Sequence, residues 1–199
     1  DSKWKVTTSS GEETMSGEIT AVSDELGVEL HFEDVLYNEK NIFMRQIIVK
    51  NLREHKRQIK LYVGHEFEIY ESHRGDTAYY DLEKNVVIHY KGRRVFLINT
   101  ECDGKGFDDY TIGIFGIEGK EGSHKDAEDG ALSKNSIEHG KTDSVIGIYL
   151  DIDPNSSKTV DYWIAIAKTI QDADDINEYV KDRSLSYLIK TTKDFWHAW

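Results

Sequence analysis

The sequence holds one cysteine and one proline in 199 residues. A lone cysteine excludes an internal disulfide and any zinc site built on thiolates. It leaves the compartment open, since exported proteins can also lack disulfides, with the cytoplasm slightly favoured. No run of about 18 apolar residues occurs, which excludes a transmembrane helix, so a membrane is not an expected partner. Positive charge is scarce: 25 basic residues stand against 37 acidic ones, a net charge of −12. Such a surface repels phosphate backbones and anionic lipid, so nucleic acid is not an expected partner either. The nucleophile-elbow, P-loop and dinucleotide-binding motifs are missing. Gly104-Lys105-Gly106 lacks the strand-to-helix context that a phosphate loop needs. None of the eight histidines shows the i, i+4 helical pairing of a zinc hydrolase. Neither a metal nor a cofactor is expected.

What is present is β-structure. Apolar residues make up 38% and aromatics 11%, enough for a packed core. A chain of this length forms one large domain, or a domain with an appendage, and buries about 70% of its unfolded surface. Period-two alternation marks strands from Glu18 to Leu26, Gly27 to Tyr37, Ile42 to Lys50 and Gln58 to Tyr70. Shorter strands follow at Ala78–Tyr80, Val86–Tyr90, Val95–Asn99 and Thr111–Ile117, with Lys91-Gly92-Arg93-Arg94 as a hairpin turn. Residues 118–143 are polar, rich in glycine and without a period. This reads as a long loop of the kind that is usually functional. Two strands resume, Ser144 to Ile152 and Lys158 to Thr169. Asp172 or Asp174 then caps a helix whose stripe includes Ile176, Tyr179, Val180, Arg183, Leu185, Tyr187 and Leu188. The reading is an antiparallel β-sandwich over residues 1–170 and a helical segment over 171–199.

Candidate chemistry is sparse. His65, next to Phe67 on a strand, reads as a core histidine. Asp103, Asp108 and Asp109 lack EF-hand order and read as a solvated acidic loop. Asp126, Glu128 and Asp129 sit on the long loop. As close neighbours they cannot straddle a glycosidic bond in the way a catalytic carboxylate pair must. Asp76 reads as an Asx cap of the turn at Gly75. Tyr79 and Tyr80 suit either core packing or stacking on a sugar.

Five segments in order resemble the N-terminal domain of prokaryotic glucoamylases, glycoside hydrolase family 15. They are Gly64-His65-Glu66-Phe67, the run from Gly75 to Asp81, Val87-Ile88-His89-Tyr90-Lys91, the run from Asp126 to Asn135, and the run from Asp143 to Gly147. The resemblance spans roughly residues 41–199. It implies a supersandwich of the galactose mutarotase-like type, then a helical linker over 171–199, then an (α/α)6 barrel. The catalytic glutamates of that family lie in the barrel, so no residue of this chain inherits a catalytic role. The implied partner is the chain's own downstream barrel, with α-glucan oligosaccharide as a second. The implied contact residues, for barrel or carbohydrate, are Asp126, Glu128, Asp129 and Asn135, with Asp76 and Tyr80.

The first residue is not methionine, and three of the last five residues are Phe195, Trp196 and Trp199. Both ends therefore read as cuts within a longer protein, and the resemblance implies further strands before Asp1, which leaves the first sheet incomplete. Two other functions remain open. One is a stand-alone carbohydrate-binding module. The other is a mutarotase-like sugar epimerase in which His65 or His89 meets Glu66 or Glu128 in one cleft.

Overall fold

The computed structural model describes residues 3–11, 14–72, 74–117 and 119–199. One of the eight histidines, His73, and the first residue of the 118–143 stretch fall outside this set. The strands are β1 (Lys5–Ser10), β2 (Gly17–Ser23), β3 (Val28–Leu36), β4 (Ile42–Asn51), β5 (Arg57–Glu66), β6 (Asp76–Asp81), β7 (Val86–Lys91), β8 (Arg94–Glu101), β9 (Asp109–Ile114), β10 (Ile137–Gly140), β11 (Thr142–Ile152) and β12 (Ser157–Ala167). Two helices follow, α1 (Ile170–Arg183) and α2 (Leu185–His197). Among the described residues all strand pairings are antiparallel. Nine strands form one sheet in the order β1-β2-β3-β4-β12-β8-β7-β6-β10, and three form the other in the order β5-β11-β9.

The chain is mainly β, an antiparallel sandwich closed by C-terminal helices. The large sheet is the middle of three layers, which its side-chain alternation explains. In β4, Ile47 and Val49 face the small sheet, whereas Ile42 and Met44 face the helices. In β7, Val87 joins the inter-sheet core while Val86 and Ile88 point the other way. A strand buried on both faces loses its polar alternation, so β7 is apolar or neutral from Val86 to His89. The inter-sheet core is completed by Ile146, Ile148, Leu150 and Ile152 of β11.

Several elements differ from the sequence reading. β1 carries only one apolar residue, Val6, so no alternation announced it; it forms by pairing with β2, Val6 opposite Ala21. The strand read as reaching Tyr70 ends at Glu66, where its pairing with the head of β11 runs out, and Ile69–Glu71 turns as a 3-10 helix with Tyr70 and Glu71 at φ of 61° and 53°. The helix starts earlier than Asp172, since Thr169 is its N-cap and accepts the Asp172 amide at 3.1 Å. The single stripe is two helices. Ser184, at φ 66°, breaks the run, and its hydroxyl caps α2. Val180, Leu185 and Leu188 are buried against Trp163, Ile42 and Met44, whereas Tyr187 is exposed. The helices therefore lie on the outer face of the large sheet, burying their apolar side there.

Candidate functional site

The long loop is ordered. Ser123–Asp129 forms a 3-10 helix that ends at Gly130, whose φ of 84° suits glycine. Two buried carboxylates hold its feet. On β11, Asp143 accepts the Ser123 amide at 2.5 Å and the Ser123 hydroxyl at 2.8 Å. On β9, Asp109 accepts the Leu132 amide at 3.0 Å and the Tyr149 hydroxyl at 2.7 Å. Charged acceptors in such sites make the stronger class of hydrogen bond. Burial, then the hydrogen bond to Asp109, pushes the Tyr149 phenol upward. Asp109 thus does not belong to a solvated acidic loop: it is buried, and the neighbouring Asp108 accepts the Tyr149 amide at 2.7 Å. From β5, Lys60 reaches the Gly130 carbonyl at 2.5 Å.

Between this loop and the outer face of β9 lies a cleft of about 490 Å3. Its lining includes Thr111, Gly113, Lys120, Ser123, Asp126 and Asn135. Asp126 closes the loop on itself, accepting the Ser133 amide at 2.5 Å. Asn135 donates to the Ile112 carbonyl at 2.8 Å and to Glu138 at 3.0 Å. Asp126 and Asn135 are therefore brought together. Asp129 accepts the Ala131 amide at 3.0 Å, and Glu128 is exposed and does not line the cleft. Asp76 and Tyr80 lie elsewhere, on β6. Asp76 is buried and makes no Asx cap. Its partner is the Lys91 ammonium at 3.1 Å, which also donates to the Ile69 and Ser72 carbonyls. Tyr80 packs in the inter-sheet core, stacked on Tyr110 with centroids 3.7 Å apart.

A second polar cluster crosses between the sheets. His65 of β5 contacts Ser144 of β11 through Nδ1 at 3.0 Å and the Tyr162 hydroxyl of β12 through Nε2 at 3.0 Å. His89 of β7 contacts the same Ser144 hydroxyl at 2.8 Å. Neutral rings satisfy every contact with the protons running in either direction along this chain of groups. In one direction Tyr162 donates to His65, His65 donates to Ser144, and Ser144 donates to His89. Burial holds His65 down at about 4. Burial, then the His65 charge, holds His89 down at about 3. Ser144, His65 and His89 are buried, so this serine–histidine contact is a clamp between sheets; a cleft of about 270 Å3, lined by Gly64, His65, Glu66, His124 and Ser144 among others, lies beside it. Among the described residues, no cluster of three or more His, Cys, Asp or Glu side chains is arranged to hold a metal ion.

The loop anchors and the clamp escaped sequence reading. Each joins residues at least 20 positions apart, and in the sequence they carry no spacing signal. Only the polarity of Asp143 and Ser144 at the head of an otherwise apolar strand marks them.

No protein-family model and no curated protein matches the sequence. Solved structures do. The fold is shared with part of a bacterial glucoamylase. That enzyme, solved in complex with acarbose, superposes with a TM-score of 0.77 at 13% identity over 100% of this chain and 28% of its own. A protein named as a candidate kojibiose phosphorylase, from the human microbiome, superposes with a TM-score of 0.54 at 13% identity, over 98% of this chain and 25% of its own. The chain thus spans about a quarter of the length of these proteins. At this identity the likeness is one of fold. No helix among the described residues is long and apolar enough to cross a membrane.

Proposed function

We propose that the chain is the non-catalytic β-sandwich module of a glucoamylase-type glycoside hydrolase of family 15, packed against an (α/α)6 barrel that hydrolyses α-glucosidic bonds. The observation that carries this reading is the superposition of the whole chain on 28% of the glucoamylase, a share that fits a domain within a larger enzyme. The module's role is support. The Ser123–Asn135 loop, anchored by Asp109 and Asp143, presents Asp126 and Asn135 in a cleft and Glu128 to solvent, and is the proposed contact with barrel or glucan. Its carboxylates are taken up by backbone amides or stand apart, so no acid–base pair spaced for glycoside hydrolysis forms on it.

For the epimerase alternative, His65 and Glu66 line one cleft of about 270 Å3. Against it, the His65 ring is buried with both nitrogens engaged by Ser144 and Tyr162, and Glu66 is exposed. The carbohydrate-module reading lacks a platform at the cleft, whose described lining holds no aromatic side chain. The test is calorimetric titration of the 199-residue protein with maltose and maltotriose, beside an assay for glucose release from maltotriose. The support reading expects no glucose release and no heat of binding at millimolar sugar. Measurable binding would move the module to carbohydrate recognition, and turnover would end the non-catalytic reading.

A further inference from the structure

The three-stranded sheet has two flanks. Along β9 the outward backbone is met: the Ile112 amide donates to the Asn135 carbonyl at 2.9 Å and the Lys134 amide to the Tyr110 carbonyl at 3.2 Å. Along β5, ten residues pair one for one with β11, Arg57 opposite Ile152 through Glu66 opposite Asp143. Among the described residues the other flank of β5 carries no backbone hydrogen bond. It has no bulge and no proline, the usual devices that blunt an edge.

The core beneath this flank is open as well. The inward residues of β11, Ile146, Ile148, Leu150 and Ile152, are at most 2% exposed. Those of β5 (Ile59, Leu61 and Val63) face the same core and are only half-buried. The large sheet continues past β5 through β3, β2 and β1. Cross-strand register puts Val6, Ala21 and Leu30 in one row and Thr8, Ile19 and Phe32 in the next, on the face that Leu30 and Phe32 turn to the core. Every residue of β1 is exposed, Val6 at 58%. An open strand edge thus stands beside a partly apolar sheet face that is buried at Ala21, half-buried at Ile19, Leu30 and Phe32, and exposed at Val6 and Thr8.

One end of this notch holds two guanidiniums. Arg57, at the head of the inward row of β5, donates to the Leu26 and Gly27 carbonyls and to Asn51. Arg53 donates to the Glu25 carbonyl at 2.6 Å, while the nearby Asp24 carboxylate is engaged by Lys5. Burial, and then the Arg53 charge, hold the Arg57 guanidinium below its usual value. Two guanidiniums served by carbonyls, in a chain of net charge −12, are complementary to a carboxylate.

We propose that the free flank of β5 is a strand-acceptor site. Its ligand is an extended polypeptide segment with apolar side chains at alternate positions and an acidic residue at the end beside Arg53 and Arg57. The segment adds as a fourth strand to the small sheet, main chain pairing with β5, and its inward side chains cover Ile19, Phe32 and Val6. This goes beyond the glycosidase reading and does not depend on it.

The test uses a fluorescein-labelled synthetic decapeptide of alternating threonine and valine or isoleucine with one terminal glutamate. Its controls are the same peptide with two central prolines and the same peptide with glutamine for glutamate. Anisotropy measures binding to the 199-residue protein, and amide hydrogen exchange maps it. The expected result is a Kd on the order of 10 μM for a single added strand, slowed exchange within Gln58–Glu66, and at least about tenfold weaker binding of the proline peptide. Arg53→Gln and Arg57→Gln are expected to weaken the glutamate peptide and leave the glutamine peptide unchanged, a cycle that separates charge recognition from loss of folding. No binding at 1 mM peptide (roughly −4 kcal/mol), equal binding of the proline peptide, or protection at β1 in place of β5 overturns the proposal. So does a concentration-dependent dimer that protects β5 without peptide, which assigns the edge to a second copy.

Discussion

The two flanks of the small sheet are made of the same material and finished differently. β9 is sealed by its own downstream chain: Asn135 and Lys134 bond its backbone, and Asp109 and Asp143 fix the turn that brings them there. β5 has one strand partner and holds to the large sheet through side chains, among them the clamp from His65 to Tyr162. A strand sealed on both flanks depends on main-chain bonds. A strand with one bare flank depends on what its side chains reach across the core.

Acid is the widest lever on that difference. His65 and His89 titrate near 6.5 when unfolded and are held at about 4 and about 3 in the fold. Between those values the unfolded chain binds more protons. The stability they represent is present above pH 6.5 and is lost as pH falls toward 4 and then 3. At about 1.4 kcal/mol per pKa unit, the loss reaches several kcal/mol by pH 4. Urea midpoints from pH 7.5 to 4 measure it. His65→Gln, or a His89→Gln partner change, should flatten the curve; an unchanged slope in both variants would remove the clamp from the account.

Truncations come next. Ile148→Ala on β11 should cost about 3–4 kcal/mol, the range for a sealed core site, whereas Leu61→Ala on β5 should cost about 1–2 kcal/mol because its environment is half open. Equal costs in urea unfolding would mean that the β5 flank is as closed as the β9 flank. Asp143→Ala strips two bonds from Ser123 and should cost about 2–3 kcal/mol, with faster exchange of the loop amides. Gly130→Ala, forced into φ 84°, should cost about 1 kcal/mol. Glu128→Ala should lie within about 0.5 kcal/mol of the parent, as surface changes do.

Much of this fold is legible in the chain. Wherever one face of a strand is buried, as from Gln58 to Val63, alternation announces it. β7 is legible for the opposite reason, a short apolar run between turn residues. β1 is not, since Lys5-Val6-Thr7-Thr8-Ser9-Ser10 has no face to mark, and pairing alone makes it a strand. The split at Ser184 is hidden too, because serine gives no warning of a left-handed turn between two helical stripes. At the candidate site, the loop and its position are visible as a loss of period, and Asp126 and Asn135 do meet in the cleft. Their anchors are not visible. Asp109 looks like one acid among several beside glycines, and only the folded register brings Leu132 and Tyr149 to it.

Native-state hydrogen exchange on the free 199-residue protein tests the contrast most directly. Outward amides of β9, Ile112 among them, should exchange only with global unfolding, while the alternate amides of Gln58–Glu66 on the bare flank, which donate to no backbone carbonyl among the described residues, should exchange orders of magnitude faster without any opening. Equal protection on the two strands would contradict it.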